Sequence, residues 1–398
     1  MEKSIALSYL VFICLFSYLP KSVDTIGFIL FIFYAIYFYI CRICDRTQRL
    51  LTINKETKRL RILFAYFILF ASFYFLISFF NLPRLWNIKG LDYSLSYLPR
   101  HYFAIAELFI PIVLSFGFYK LKLYHRLKLA FLIPFALLLF LINSDLCVKG
   151  LLLIALSIIA WKCHCKLIML FAFFLNLGQS AYILGFFVLI LVLLFEKQII
   201  PFLSKNTTLK IIFILFAAIF GVFLSYGWLM AYVKSDPNSL WRLMVWLNEF
   251  DSLSKTWFTG VGFGSAYVTR DIVYQVSNSN MYTTNVDGGL DTGIFIVANH
   301  SSLLNMFYRM GILGGMLFLA LNVQLIRVVV ITYHRAVPEM KRLLWYLLAA
   351  FIYETIIISL NPGLEMMQFA LSYILSLSVL LAVIMEIQNQ RLFVENEK

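Results

Sequence analysis

The run "ILFAYFILFASFYFLISFF" at 62–80 has no charged residue. A bilayer core about 30 Å thick takes about 20 apolar residues of helix to cross. In lipid the backbone must satisfy its own hydrogen bonds, so only helices and closed barrels can span. Similar runs recur along the 398 residues. Twelve spans fit the pattern, roughly 4–20, 23–41, 62–80, 102–119, 129–143, 150–161, 166–178, 181–195, 211–231, 311–331, 343–360 and 368–386. Apolar residues are 62% of the chain and charged residues 13%, against about half and a quarter in soluble domains. The expectation is an all-α, polytopic integral membrane protein, with 1–398 forming one membrane domain. The opening "MEKSIALSYLVFICLFSYLP" resembles a signal peptide but lacks a small-x-small cleavage site, and is read as a retained first helix.

The net charge of +13 is a matter of topology. With both termini cytoplasmic, the inside segments hold 23 Lys/Arg and 8 Asp/Glu, and the outside segments hold 10 and 10. That is the positive-inside pattern. The excess sits largely in "CRICDRTQRLLTINKETKRLR" (41–61) and "KLKLYHRLK" (120–128), and argues against a nucleic-acid partner. Of the six cysteines only Cys147 falls outside, which excludes an extracytoplasmic disulfide framework. "CRIC" and "CHC" lack a partner pair at zinc-site spacing, so no metal is expected.

Most connections are short, but 232–310 is a long extracytoplasmic segment between spans 9 and 10. Long loops are usually functional or disordered, and this one's aromatic content argues for order. Apolar residues at 240, 243, 244, 247 and 250 predict an amphipathic helix over 239–253, lying at the membrane surface. "TGVGFGSAY" follows, its alternating Gly260, Gly262 and Gly264 permitting a tight turn or close backbone approach. The loop closes on "ANHSSLLNMFYRMGILGG" (298–315), where polar groups crowd a helix entrance.

His125, His164 and His334 fall in cytoplasmic loops and are expected to be solvated. His101 and His300 lie outside, near helix mouths, where a group titrating near neutrality suits proton transfer. Arg84, Arg100, Arg242, Arg270 and Arg309 are five of the ten basic residues outside. Glu107 and Glu354 occupy the outer parts of their spans. The pattern suggests a polar cavity opening outward, or alternatively carboxylates pairing with arginines to steady the bundle. Guanidinium forks bind phosphate oxygens in pairs, so a polyprenyl-diphosphate sugar fits such a cavity. Its leaving group needs cations and its acceptor hydroxyl needs a base. No metal, nucleotide or other cofactor is required.

The segment from about 239 to 325 resembles the O-antigen ligase and polymerase superfamily of bacterial surface-polysaccharide assembly. The resemblance rests on "WRLMVW" with Arg242 and Trp246, "GVGFG" with Gly260, Gly262 and Gly264, and His300 with Gly311 and Gly314 following 11 and 14 residues later. There are departures. Ser301 stands where the family usually has Asn, Arg309 replaces a common acid, and Gln179 in "GQSAY" occupies a frequent arginine position.

The resemblance implies a metal-independent glycosyltransferase at the outer face of the bacterial cytoplasmic (inner) membrane. Arg242 would help hold the diphosphate of an undecaprenyl-diphosphate-linked oligosaccharide, and His300 would orient or deprotonate the acceptor hydroxyl. Arg309, Arg270, Arg100, Trp246, the three glycines and Glu107 are further candidates for substrate binding. Arg309 or Arg100 would substitute for the arginine missing at Gln179. Membrane lipid and the chain-length regulator and flippase of the same pathway are the partners implied. An abundance of Phe and Tyr, 40 and 23, favours a polymerase, which extends lipid-linked repeat units. The alternative is a ligase acting on lipid A-core. A flippase or transporter of the same lipid-linked sugars is a second alternative, which would place its polar groups near the bilayer midplane.

Overall fold

The computed structural model describes residues 118–142, 146–176, 180–204, 301–360 and 367–396, with scattered positions in 58–70, 243–260 and elsewhere. The described elements are α1 (Leu123–Arg126), α2 (Leu129–Ile142), α3 (Leu146–Lys162), a 3-10 helix (Lys166–Asn176), α4 (Ser180–Leu194), α5 (Glu196–Ser204), α6 (Ser302–Arg335), α7 (Pro338–Leu360) and α8 (Met367–Asn396). One two-residue antiparallel pairing joins β1 (Val268–Thr269) to β2 (Ile294–Phe295), with Val268 opposite Phe295 and Thr269 opposite Ile294.

Among the described residues three helices are long and apolar enough to cross a membrane: Ser302–Arg335, Pro338–Leu360 and Ser372–Gln390. Two bent pairs raise this to as many as five if each pair is one span. These helices cover the expected spans 10, 11 and 12. Spans 1, 2 and 9 lie outside the described residues.

α8 is the most buried of the long helices. It packs against α3 and α7, and its residues 372–388 are buried throughout. A helix apolar on every side belongs in the interior of a bundle. Ser378 turns inward on the backbone, its Oγ donating to the Ile374 carbonyl at 2.5 Å. The peripheral helices show the opposite pattern. α2 exposes Phe131, Leu137 and Leu141, and α4 exposes Leu184, Phe187 and Leu194. An apolar outer surface around a packed apolar core suits a lipid surround, because lipid removes the usual penalty for outward-facing Leu and Phe.

Several expected loops are helical. Residues 120–126 belong to a stretch Phe118–Arg126 that meets Leu129–Leu141 at 91°, and Glu196–Leu203 leaves Ile183–Leu194 at 84°. The apolar pattern measured residence in lipid, whereas a helix can continue along a surface once the chain has bent. α5 shows this clearly: Ile200 and Leu203 are buried while Lys197 and Gln198 are exposed. The expected seventh span is a 3-10 segment over its described part.

Segments assigned to the same side by the charge pattern do meet at one end of the bundle. Tyr124 OH donates to Glu386 Oε2, and His125 Nε2 lies 3.0 Å from Glu386 Oε1. Asn389 Nδ2 donates to Tyr119 OH at 2.6 Å. Lys162 Nζ donates to the His125 carbonyl at 3.2 Å, and Trp161 Nε1 to the Glu339 carbonyl at 3.1 Å. Tyr333 OH donates to Glu196 Oε1 at 2.5 Å. His125 is exposed as expected, and it also takes part in this network. Its side chain is 37% exposed, in contact with Glu386, and packed edge-on against Trp161. His164 and His334 are exposed.

Candidate active site

Within the polar entrance, residues 302–310 are helical, ahead of a break at Gly311. Ser301 is the N-cap of α6, with extended backbone, and its Oγ accepts from the Leu304 amide at 3.2 Å. A serine in this position satisfies one of the amides that a helix start leaves unpaired. The same hydroxyl donates to the Ser359 carbonyl at 2.8 Å, near the end of α7. One side chain thus caps α6 and fastens its first turn to a neighbouring helix. Ser359 Oγ in turn donates to Thr355 O, and Thr355 Oγ1 to Phe351 O, at 2.7 and 2.8 Å.

One turn further along, Asn305 and Arg309 stand at i and i+4, a spacing that puts them on one helix face. Both are 0% exposed. Arg309 Nε donates to Asn305 Oδ1 at 3.3 Å, and its guanidinium carbon lies 5.2 Å from the Tyr308 ring centre. Arg309 is thus an interior group whose charge is held by protein atoms. The amide of Asn305 and the electron-rich ring face of Tyr308 both favour a buried cation.

Gly311 breaks the helix just beyond. Its φ of 66° and ψ of −171° interrupt α6 between two helical portions. Gly260, also left-handed at φ 61°, lies against this joint. A β-carbon built on Gly260 would stand 2.4 Å from Gly311 N and 2.6 Å from Arg309 O. Only a residue without a side chain permits main chain to meet main chain so closely. Gly260 N donates to the Thr256 carbonyl at 2.9 Å, closing the turn that delivers it. Gly314 continues the close packing, since a β-carbon there would lie 2.2 Å from Met310 Cβ and 3.2 Å from Phe70.

Of the residues expected in the site, the structure describes Arg309, Gly260 and Trp246. Trp246 is helical and half-buried. Every described position from 243 to 254 is helical, and Leu247 and Phe250 are 58% and 52% exposed. His300, Arg242, Arg270, Arg100, Gly262, Gly264 and Glu107 lie outside the described residues, as do His101, Arg84 and Gln179. The structure therefore joins the first glycine of the turn to the Arg309–Gly311 joint.

Glu354, expected near this end, is 3% exposed. Its Oε2 accepts from Ser372 Oγ at 2.9 Å. Gly150 on α3 packs on the same serine. Asn305, Ser359 and Ser372 were not singled out by sequence reasoning, and Ser301 was noted only as a departure from the family's Asn. The Asn305–Arg309 spacing and a serine directly before an apolar helix were the available signals for two of them. No family model and no curated protein matches the chain.

Proposed function

We propose that the chain is a glycosyltransferase of surface-polysaccharide assembly that polymerises lipid-linked repeat units at the outer face of the cytoplasmic membrane. The observation that carries this reading is the contact between Gly260 and the Arg309–Gly311 backbone. The two parts of the resemblance, about 50 residues apart in the chain, come together as one site would require. The helical described positions between 243 and 254, with Leu247 and Phe250 exposed, support a membrane-surface helix that would bring Arg242 to a lipid headgroup.

In this reading the acceptor hydroxyl attacks the anomeric carbon of the donor. The bond from that carbon to the diphosphate oxygen breaks, and the electron pair leaves with the undecaprenyl diphosphate. Arg242 offsets the charge gathering there, and His300 takes the hydroxyl proton. No metal or cofactor takes part. Arg309, buried among Asn305 and Tyr308, holds the α6 entrance in shape and does not meet the lipid directly.

The purified chain in lipid nanodiscs, supplied with undecaprenyl-diphosphate oligosaccharide, should form new glycosidic bonds. Transbilayer movement of that lipid without bond formation would favour the transporter. Deletion of the gene separates the remaining pair: lipid A-core capped by a single repeat unit indicates a polymerase, bare core with lipid-linked chains a ligase.

A further inference from the structure

The end of the bundle opposite Ser301 carries a second surface, unconnected with glycosyl transfer. Phe118–Arg126 lies at 91° to Leu129–Leu141. If the latter crosses the bilayer, the former runs along its surface. The chain turns at Lys122, whose φ is 47°, and α1 follows. Along this stretch Lys120, Lys122, Arg126 and Lys128 are exposed, while Leu121, Leu123 and Leu127 are half-buried and Tyr124 is buried. Leucines directed toward the bundle and cations directed outward are the layout of an interfacial amphipathic element.

The neighbouring chain adds to the charge. Lys162 is tied to the His125 carbonyl, with its ammonium 5.2 Å from the Trp161 ring centre, and Lys166 beyond it is exposed. Against these cations stand Glu339, which is exposed, and Glu386, which is buried and engaged by Tyr124, His125 and Gln390. The rim is therefore cationic, and its shape is fixed by the Glu386 network.

We propose that this rim, formed by 118–128 with Lys162 and Lys166, binds the phosphate headgroups of anionic phospholipids. Its occupant is a lipid of the surrounding leaflet: the cations sit beside half-buried leucines at the level where acyl chains meet headgroups. Each Lys or Arg near such a surface adds to the attraction, which weakens as salt screens it. The inference rests on membrane insertion alone and stands apart from the proposed catalysis.

The test is native mass spectrometry of the full chain, released from detergent containing equal phosphatidylglycerol and phosphatidylcholine. Wild type should retain phosphatidylglycerol in about fivefold excess or more. Combined Lys120→Gln, Lys122→Gln, Arg126→Gln and Lys128→Gln should bring the ratio near parity, and the charge-preserving set Lys120→Arg, Lys122→Arg, Arg126→Lys and Lys128→Arg should keep it. Single Lys122→Gln and Lys128→Gln variants, each lowering the ratio partway, serve if the fourfold variant fails to fold. An unchanged ratio in the glutamine variants overturns the proposal. So does complete displacement of the lipid by soluble glycerol phosphate at equal concentration, which would mark a free-phosphate site instead.

Discussion

Gly260 and Gly311, both with positive φ, meet main chain to main chain, so that a β-carbon on the first would stand 2.4 Å from the nitrogen of the second. The atoms in the way are backbone and cannot rotate aside. Gly260→Ala should therefore separate the loop from α6 and also carry backbone strain of about 1–2 kcal/mol. Polymer formation should fall at least tenfold while the protein still inserts, as read by glycan ladders and by membrane fractionation.

Ser301 serves as cap and tether through a single oxygen. Ser301→Ala removes both bonds and should cost about 1–2 kcal/mol, seen as a lower unfolding temperature in detergent. Ser301→Thr keeps the hydroxyl and should restore most of it. Equal loss in both variants would mean that shape, and not hydrogen bonding, governs the site.

His300→Ala and Arg242→Ala should each abolish polymer with normal membrane insertion, if the catalytic roles are assigned correctly. In vitro, both should still bind the lipid-linked acceptor. Near-normal chain formation in either would remove that residue from the mechanism.

The interior pair Glu354–Ser372 is pressed by Gly150, where a β-carbon would lie 1.8 Å from Ser372 Cβ. Gly150→Ala should force α3 away from α8 and destabilise the fold by about 1–3 kcal/mol. Glu354→Gln keeps an acceptor for the serine and should be mild. Glu354→Ala leaves the serine donor unmatched at a cost of about 1–3 kcal/mol. Thermal unfolding of the three variants in one detergent gives the order.

Burial, followed by the charges of Lys122 and Lys162, holds the His125 imidazole below its ordinary value of 6.5, against a smaller upward pull from Glu339. The folded state therefore binds this proton less readily than the unfolded chain does. The stabilisation is present above about pH 6.5 and is lost as pH falls through the lowered folded value. His125→Gln should flatten the slope of unfolding temperature between pH 7 and pH 5, and an unchanged slope would place the pH response elsewhere.

Hydropathy located α6, α7 and α8 because their apolar runs are long enough to be read without knowledge of neighbours. It set the start of span 10 at 311, where the helical portion beyond the Gly311 break begins, and missed the shorter portion from Ser302 that precedes it. Asn305 and Arg309 look like loop residues in a count of apolar side chains. They are helical and buried, and Arg309 Nε donates to Asn305 Oδ1 across one turn of the helix. The bends at 127–128 and 195 were likewise invisible to a measure of lipid affinity, which does not record chain direction. In the candidate site the glycines were legible as permission for close approach. The partner of Gly260, a backbone joint about 50 residues onward, was not, because main-chain atoms are common to every residue.

The pairing of Val268 and Thr269 with Phe295 and Ile294 has a consequence for how such a chain can diversify. It pinches residues 270–293 at a neck, downstream of Gly260 and upstream of Ser301. Because closure entropy grows slowly with length, doubling the enclosed segment costs only about 0.6 kcal/mol. The enclosed segment is thus a cassette. It can lengthen, shorten or change composition while the paired residues at its two ends stay together.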